Sequence, residues 1–279
     1  AMTLRGKKPT AEKKRLKLML FGSAGAGKTT AAIGFPKPYV IDTERGAEND
    51  EYVERINGVG GALFQTTSFD DIVQEVRALA STEHDYQTLV IDPVTVIYDD
   101  MVASWEKRVG TDFGRGYSAA KKEWKRLTSL LSGLDMNVVL TSHAKNLYAE
   151  GKAMQIIGQT FDGPKGADYY MDLVIEVQNT RDGRLGRIAK SRIKALPEGE
   201  QIPFSYDEIA DRYGRAVLER NAKPVALATT EQVTSLREMM TNRNDADVLE
   251  AKWLRAAGVE DFADMTRQQI EGCIQWLTT

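Results

Sequence analysis

One cysteine, Cys273, occurs in 279 residues, so no internal disulfide can form and a disulfide-stapled secreted scaffold is excluded. No run of about 18 uncharged apolar residues is present, the least that a membrane-crossing helix needs, and no apolar stretch of the kind a secretory leader carries lies near the start. These absences point to a reducing, cytoplasmic compartment and to no membrane partner. Internal repeats and low-complexity tracts are missing as well. An excess of either charge is also lacking: 37 basic side chains against 40 acidic ones leave a net charge of -3, which alone speaks against a dedicated nucleic-acid binder. That total averages unlike parts. Residues 1–17 carry seven basic side chains and one acidic, whereas residues 221–279 carry six basic and nine acidic.

What is present is globular, with 42% hydrophobic and 28% charged residues, and the length suits one large domain with a small partner. Ala1 ahead of Met2 reads as an expression remnant, and residues 1–15 as a basic, flexible arm with little to bury. From Leu16 the apolar run through Leu18, Met19, Leu20 and Phe21 ends in a glycine-rich turn, as a buried strand of a parallel sheet would. A helix is expected over 28–34, stopped by Phe35-Pro36-Lys37-Pro38. Further strands are expected at Tyr39–Ile41, Thr88–Ile91 and Asn137–Thr141, with helices after a capping box at Ser68 and Asp71 and near 94–108 and 118–134. Such alternation predicts an α/β fold with a mainly parallel sheet covered on both faces.

The pattern then changes. Segments 172–178 and 185–193 predict an antiparallel hairpin at one edge, and Asp182-Gly183 suits a type I′ turn, both of whose central residues need φ > 0. Ala144–Met171 has no regular period and reads as a long functional loop. Beyond Pro224, capping boxes at Thr229/Gln232 and Thr266/Gln269 and the stripe Ile270, Cys273, Ile274 and Leu277 predict a small helical domain. The expected division is 1–15, 16–222 and 223–279.

Gly22-Ser23-Ala24-Gly25-Ala26-Gly27-Lys28-Thr29, followed by Thr30, matches the phosphate-loop pattern G-x-x-x-x-G-K-[ST] between an expected strand and an expected helix. Glycines let successive backbone N–H groups converge on phosphate oxygens, and the start of the next helix adds attraction. Lys28 would reach the β and γ phosphates of ATP, and the Thr29 hydroxyl would ligate Mg2+. A second metal anchor is expected at the tip of an adjacent apolar strand, where Leu89-Val90-Ile91-Asp92 offers Asp92. Pro93 occupies the place where many phosphate-loop ATPases carry a glutamate, so the group that activates water must come from elsewhere. Glu44, at the end of Tyr39-Val40-Ile41-Asp42-Thr43-Glu44, is the best-placed carboxylate.

Phosphate loop, a strand ending in Asp-Thr-Glu and a strand ending in Asp without a following glutamate resemble the RecA-type core of recombinases and replicative helicases. The resemblance implies a RecA-like P-loop fold with a C-terminal helical module, assigns the catalytic base to Glu44, and implies a γ-phosphate sensor in Thr141-Ser142-His143, with His143 the candidate. It also implies that Lys190 and Arg192 of Lys190-Ser191-Arg192 enter a neighbouring subunit's nucleotide site; the alternation of a strand puts both on one face. Without the resemblance the same pair reads as an exposed basic edge strand.

Within that group the short spacing between Lys28 and Glu44 and the appended helical module look most like the phage-encoded, RecA-like single-strand annealing proteins. This implies single-stranded DNA and a single-stranded-DNA-binding protein as partners, self-association into a filament or ring, and the cytoplasm of a bacterial host. Candidate DNA contacts are Arg115, in Gly110–Tyr117 beside Phe113 and Tyr117, and Lys145, Lys152 and Lys165 in the later loop, where basic residues neighbour stacking faces. Trp124 reads better as core. Two other function classes stay open: a helicase or AAA-type remodelling motor, against whose AAA form the absent Asp-Glu pair argues, and a nucleotide-gated binding module with negligible turnover.

Overall fold

The computed structural model describes residues 13–44, 50–149 and 151–278, apart from the side chains of residues 113 and 152–154. Their strands are β1 (Lys17–Gly22), β2 (Pro38–Asp42), β3 (Ala62–Gln65), β4 (Thr88–Asp92), β5 (Asn137–Ala149), β6 (Lys152–Phe161), β7 (Leu173–Thr180), β8 (Gly183–Ser191) and β9 (Gln201–Pro203). The helices of the core are α1 (Lys28–Ile33), α2 (Asp50–Gly58), α3 (Phe69–Ser81), α4 (Val94–Val109), α5 (Arg115–Gly133), α6 (Tyr206–Tyr213) and α7 (Arg215–Leu218). The sheet order is β3-β2-β4-β5-β1-β7-β8-β9, with β6 paired to β5. Pairing is parallel from β3 to β7 and antiparallel from β7 to β9. This is the expected mixed α/β, RecA-like P-loop fold.

Burial on both faces explains why the central strands read as unbroken apolar runs. Met19 and Phe21 of β1, Leu89 and Ile91 of β4, and Val138 and Leu140 of β5 point into one core, beside Ile72, Ile97, Trp124 and Leu127 of α3, α4 and α5. Their alternates Leu18, Leu20, Val90 and Val139 point into the other, beside Ala32, Ile56, Ile209 and Leu218 of α1, α2, α6 and α7. Period-2 alternation across a doubly covered sheet leaves no polar face, so each strand must be apolar throughout. Trp124 is buried, as expected.

Several expectations need correction. Arg15 is not part of a flexible arm: only 3% exposed, it donates to the carbonyls of Val217, Leu218 and Arg220. Residues 1–12 lie outside the described residues. The segment after His143 is not structureless, because β5 runs on to Ala149 and pairs antiparallel with β6. Its period is hidden because this extension leaves the core, so neither face is selected for apolar residues, and a register shift falls at Leu147/Tyr148. The β7–β8 hairpin forms, but Arg181 and Asp182 are its central residues and neither has positive φ; Gly183 follows at φ 124. The type I′ turn is therefore absent.

Residues 228–277 gather a third apolar cluster around Leu236, Phe262, Met265 and Ile270 on helices α8 (Thr230–Met240), α9 (Ala246–Ala257) and α10 (Arg267–Thr278). Both expected capping boxes are made: Thr229 and Gln232 exchange side-chain bonds with each other's N–H, as do Thr266 and Gln269. Asp264, its carboxylate fully buried, accepts from Arg126 Nε at 2.8 Å and Nη2 at 3.1 Å and lies 3.6 Å from Arg77 Nε, fastening this cluster to α3 and α5.

Candidate functional site

Parallel strands bring their carboxyl ends to one edge of the sheet, where a ligand crevice forms. Here the neighbours β2, β4, β5 and β1 deliver in order Asp42-Thr43-Glu44, Asp92, Thr141-Ser142-His143 and the loop that begins at Gly22. Gly22 cannot be replaced, since a β-carbon there would stand 2.5 Å from the Val177 carbonyl of β7. Lys28 Nζ donates to the carbonyls of Gly22 (3.0 Å) and Ser23 (2.9 Å), so the lysine curls over its own loop. Burial lowers its pKa, against the pull of Asp92 and Glu44 in the other direction.

The two metal-anchor candidates meet: Thr29 Oγ1 donates to Asp92 Oδ2 at 2.6 Å. Thr141 Oγ1 donates to the other oxygen, Oδ1, a contact that sequence reading missed because it looked to His143 for the polar group of this strand. Burial pushes the Asp92 carboxyl up, with Asp42 acting the same way, while the two hydroxyl donors hold it down. An alcohol and a carboxylate side by side are hard oxygen donors of the sort Mg2+ takes together with phosphate oxygens and water. Among the described residues no group of three or more His, Cys, Asp or Glu could hold a metal alone.

Glu44 is 43% exposed in its side chain, and its Oε1 lies 3.3 Å from His143 Nε2, 46% exposed. The two side chains expected to act on water and on the terminal phosphate are thus brought together over β2 and β5. The strand below is locked by Thr95, whose Oγ1 accepts from the His143 N–H and donates to the Asp162 carbonyl. Thr43, between Asp42 and Glu44, is tied to the Asp92–Pro93 corner through Thr43 N to Asp92 O (3.0 Å) and Oγ1 to Pro93 O (2.7 Å). These bonds fix the ends of β2 and β4 relative to each other. On the other side of β1, Ser23–Ala26, Gln159 and residues 176–179 line an open cavity of about 420 Å3.

Lys190 and Arg192 stand elsewhere. Arg192 N–H donates to Asp172 O, whose own N–H donates to Lys17 O at the start of β1, so the pair sits at the opposite edge of the sheet from the loop. Five residue steps along β1 separate the two edges, roughly 16 Å. Lys190 Nζ is held by Asp168 and lies over the Tyr169 ring at 5.1 Å, and Arg192 Nη2 donates to Tyr169 O. Arg192 also lines a cavity of about 520 Å3 with Lys13, Lys14, Lys17 and Arg220. Of the candidate DNA contacts, Arg115 is exposed at the start of α5, Lys145 pairs with Asp162 at 3.3 Å, and Lys165 lines a cavity with Tyr117, Lys121 and Tyr169. The Lys152 and Phe113 side chains lie outside the described residues.

Residues 14–195 match the family described as an AAA domain. The matched span includes Pro93, so the missing glutamate, expected to argue against AAA-type proteins, does not set the chain apart from that family. No curated protein matches the sequence. Among solved structures, the assembled ATPase EscN from the type III secretion system of enteropathogenic E. coli is similar at 12% identity and a TM-score of 0.42, over 94% of this chain and 67% of that one.

Proposed function

The chain belongs to the AAA-domain family of P-loop ATPases, and from that premise we propose a Mg2+-dependent ATPase of the phage recombination type that binds single-stranded DNA under nucleotide control and anneals complementary strands. The observation that supports the chemistry is the meeting of Thr29, Asp92 and Glu44 around the curled Lys28 at one strand edge. Mg2+, when bound, neutralises charge on the phosphate oxygens. Thr29 and Asp92 would hold the ion, the loop from Gly22 to Thr30 would receive the phosphates on its N–H groups, and Lys28 would leave its own carbonyls for the anion. Glu44 would take the proton of the attacking water, with His143 holding the carboxylate in position.

Lys190 and Arg192 are too far along the sheet to reach their own loop, so a role in hydrolysis requires a second copy; this supports assembly into a filament or ring. Residues 16–222 would form the ATPase core and 223–279 an appended module. Support for the DNA step comes from the β5–β6 extension, which exposes Tyr148, Leu147, Ile156 and Ile157 beside Lys145. Aromatic and basic groups on a projecting hairpin are what a single strand stacks on. A single-stranded-DNA-binding protein as partner and a bacterial cytoplasm as location follow from the phage reading. No helix among the described residues is long and apolar enough to cross a membrane.

The test is binding of labelled single-stranded DNA with ATP, with ADP and without nucleotide, alongside phosphate release with Mg2+ and with chelator. ATP-dependent binding and metal-dependent release are expected. Equal binding in all three nucleotide states, or a preference for duplex, would overturn the DNA reading; release that persists in chelator would overturn the metal reading.

A further inference from the structure

Arg184 lies on β8, in the hairpin that flanks β1 on the side away from Asp92 and Glu44. Its guanidinium packs against the phosphate loop: a β-carbon built on Gly27 would stand 2.6 Å from Arg184 Nε, 3.1 Å from Nη2 and 3.2 Å from Cζ. Gly27, at φ 86, is therefore required twice, once by a backbone conformation that side chains rarely adopt and once by the arginine. The Nε group is buried and has no hydrogen-bond partner, and among the described residues no ion pair with Arg184 is formed. Two neighbouring arginines are engaged: Arg187 holds Glu176 at 2.6 Å and Arg192 holds a carbonyl.

A buried donor without an acceptor is destabilising, so such a group persists only where something else rewards it. Packing alone would not select arginine over methionine at this spot. A planar fork of donors against a loop built to receive phosphate matches the geometry with which arginine grips phosphate oxygens in pairs. Position then decides which oxygens. The metal anchors and Glu44 lie across β1, on the β5 and β4 side, where the terminal phosphoryl group would be attacked; Arg184 comes from the β7 side, next to the cavity of Ser23–Ala26.

We propose that Arg184 is a ligand, supplied by the same chain, for the phosphates that stay on the nucleoside diphosphate. The assignment rests on the nucleotide-binding reading above and adds to it a residue outside the phosphate loop. It separates the tasks of two cations: Lys28 serves the β–γ end, and Arg184 the end that both ATP and ADP share. It also ties the β7–β8 hairpin to the bound nucleotide.

The experiment is calorimetric titration of the full chain with Mg-ADP and with a non-hydrolysable Mg-ATP analogue, for wild type, Arg184→Met, Arg184→Lys and Lys28→Ala, together with melting temperatures without nucleotide. Arg184→Met is expected to weaken both nucleotides by about 10- to 100-fold and to similar extents, and Arg184→Lys to fall between it and wild type. The nucleotide-free melting temperature should stay level or rise, because an unsatisfied donor has been removed. Wild-type affinity in Arg184→Met, with Lys28→Ala impaired, would overturn this assignment and leave the nucleotide site standing. So would weakened binding that merely accompanies a lower melting temperature. Failure of the wild type to bind either nucleotide would overturn both.

Discussion

Thr29 Oγ1 lies 2.6 Å from Asp92 Oδ2, although 63 positions separate the two residues in the chain. The bond joins the end of the loop to the end of β4. Asp92 contributes a cost to this arrangement, since burial raises its pKa above the ordinary aspartate value and the charged form is disfavoured. A neutral isostere removes that cost. Asp92→Asn is therefore expected to melt at the same temperature as wild type or a few degrees higher without nucleotide, and to lose hydrolysis by at least 100-fold. Differential scanning fluorimetry and phosphate release measure the two effects, and a lower melting temperature would contradict the argument.

Glu44 and His143 separate binding from turnover. His143 is the strand partner of Gly22, whereas the Glu44 side chain pairs with the His143 ring, so Glu44→Gln should leave ATP affinity within about threefold of wild type while lowering the single-turnover hydrolysis rate by about 10²- to 10⁴-fold, the range that general-base removal commands. Hydrolysis at the wild-type rate in this variant would move the base to another residue. His143→Gln keeps a hydrogen-bonding group near Glu44 and should lose less, about tenfold.

The sequence exposed this site unevenly, for physical reasons. Gly22–Thr29 and Asp92 are legible because phosphate and metal chemistry restricts residue type at fixed spacing, and because strands buried on both faces are apolar without interruption. β3 and α2 passed unnoticed. The four residues of β3 are only half-buried at the sheet's edge, and α2 buries Ile56 alone, so neither shows a period. Thr141 and Arg184 reach the site through strand pairing across the sheet, a long-range relation that no local pattern encodes: Leu20 pairs with Thr141, and the pairing of Phe21 with Glu176 lays the β7–β8 hairpin beside the loop. The hairpin of β5 and β6 was hidden because, beyond Ala144 and Phe161, most of its described residues are exposed and nothing enforces alternation.

Asp264 is the fastening of the C-terminal cluster. Its carboxylate is fully buried while Arg126 and Arg77 keep 26% and 30% of their side-chain exposure. Removing one partner of a fully buried pair costs about 3–5 kcal/mol, and the water still reaching both arginines reduces this to about 2 kcal/mol. Asp264→Ala should therefore lower the denaturant midpoint and open residues 223–279 to limited proteolysis, with Mg-ATP affinity unchanged. An unaltered proteolytic pattern would mean that the apolar contacts of the cluster suffice.

Lys17 supplies a pH dependence with a definite sign. Its ammonium group donates to the carbonyls of Leu134 (2.8 Å) and Met136 (2.9 Å), and burial, only partly offset by Asp172, lowers its pKa to about 7. In the unfolded chain it titrates near 10.4. Between these values the unfolded state binds more protons than the folded one, so stability rises with pH through that window. Below about pH 7 both states are protonated and the full burial cost applies; above about pH 10.4 both are neutral and it is gone. The span corresponds to a gain on the order of 4 kcal/mol. Urea denaturation of wild type and Lys17→Met at intervals from pH 6.5 to 10 tests this: the rise should be present in the wild type and absent in the variant. A rise of the same slope in both would assign it to other groups and leave Lys17 charged within the fold.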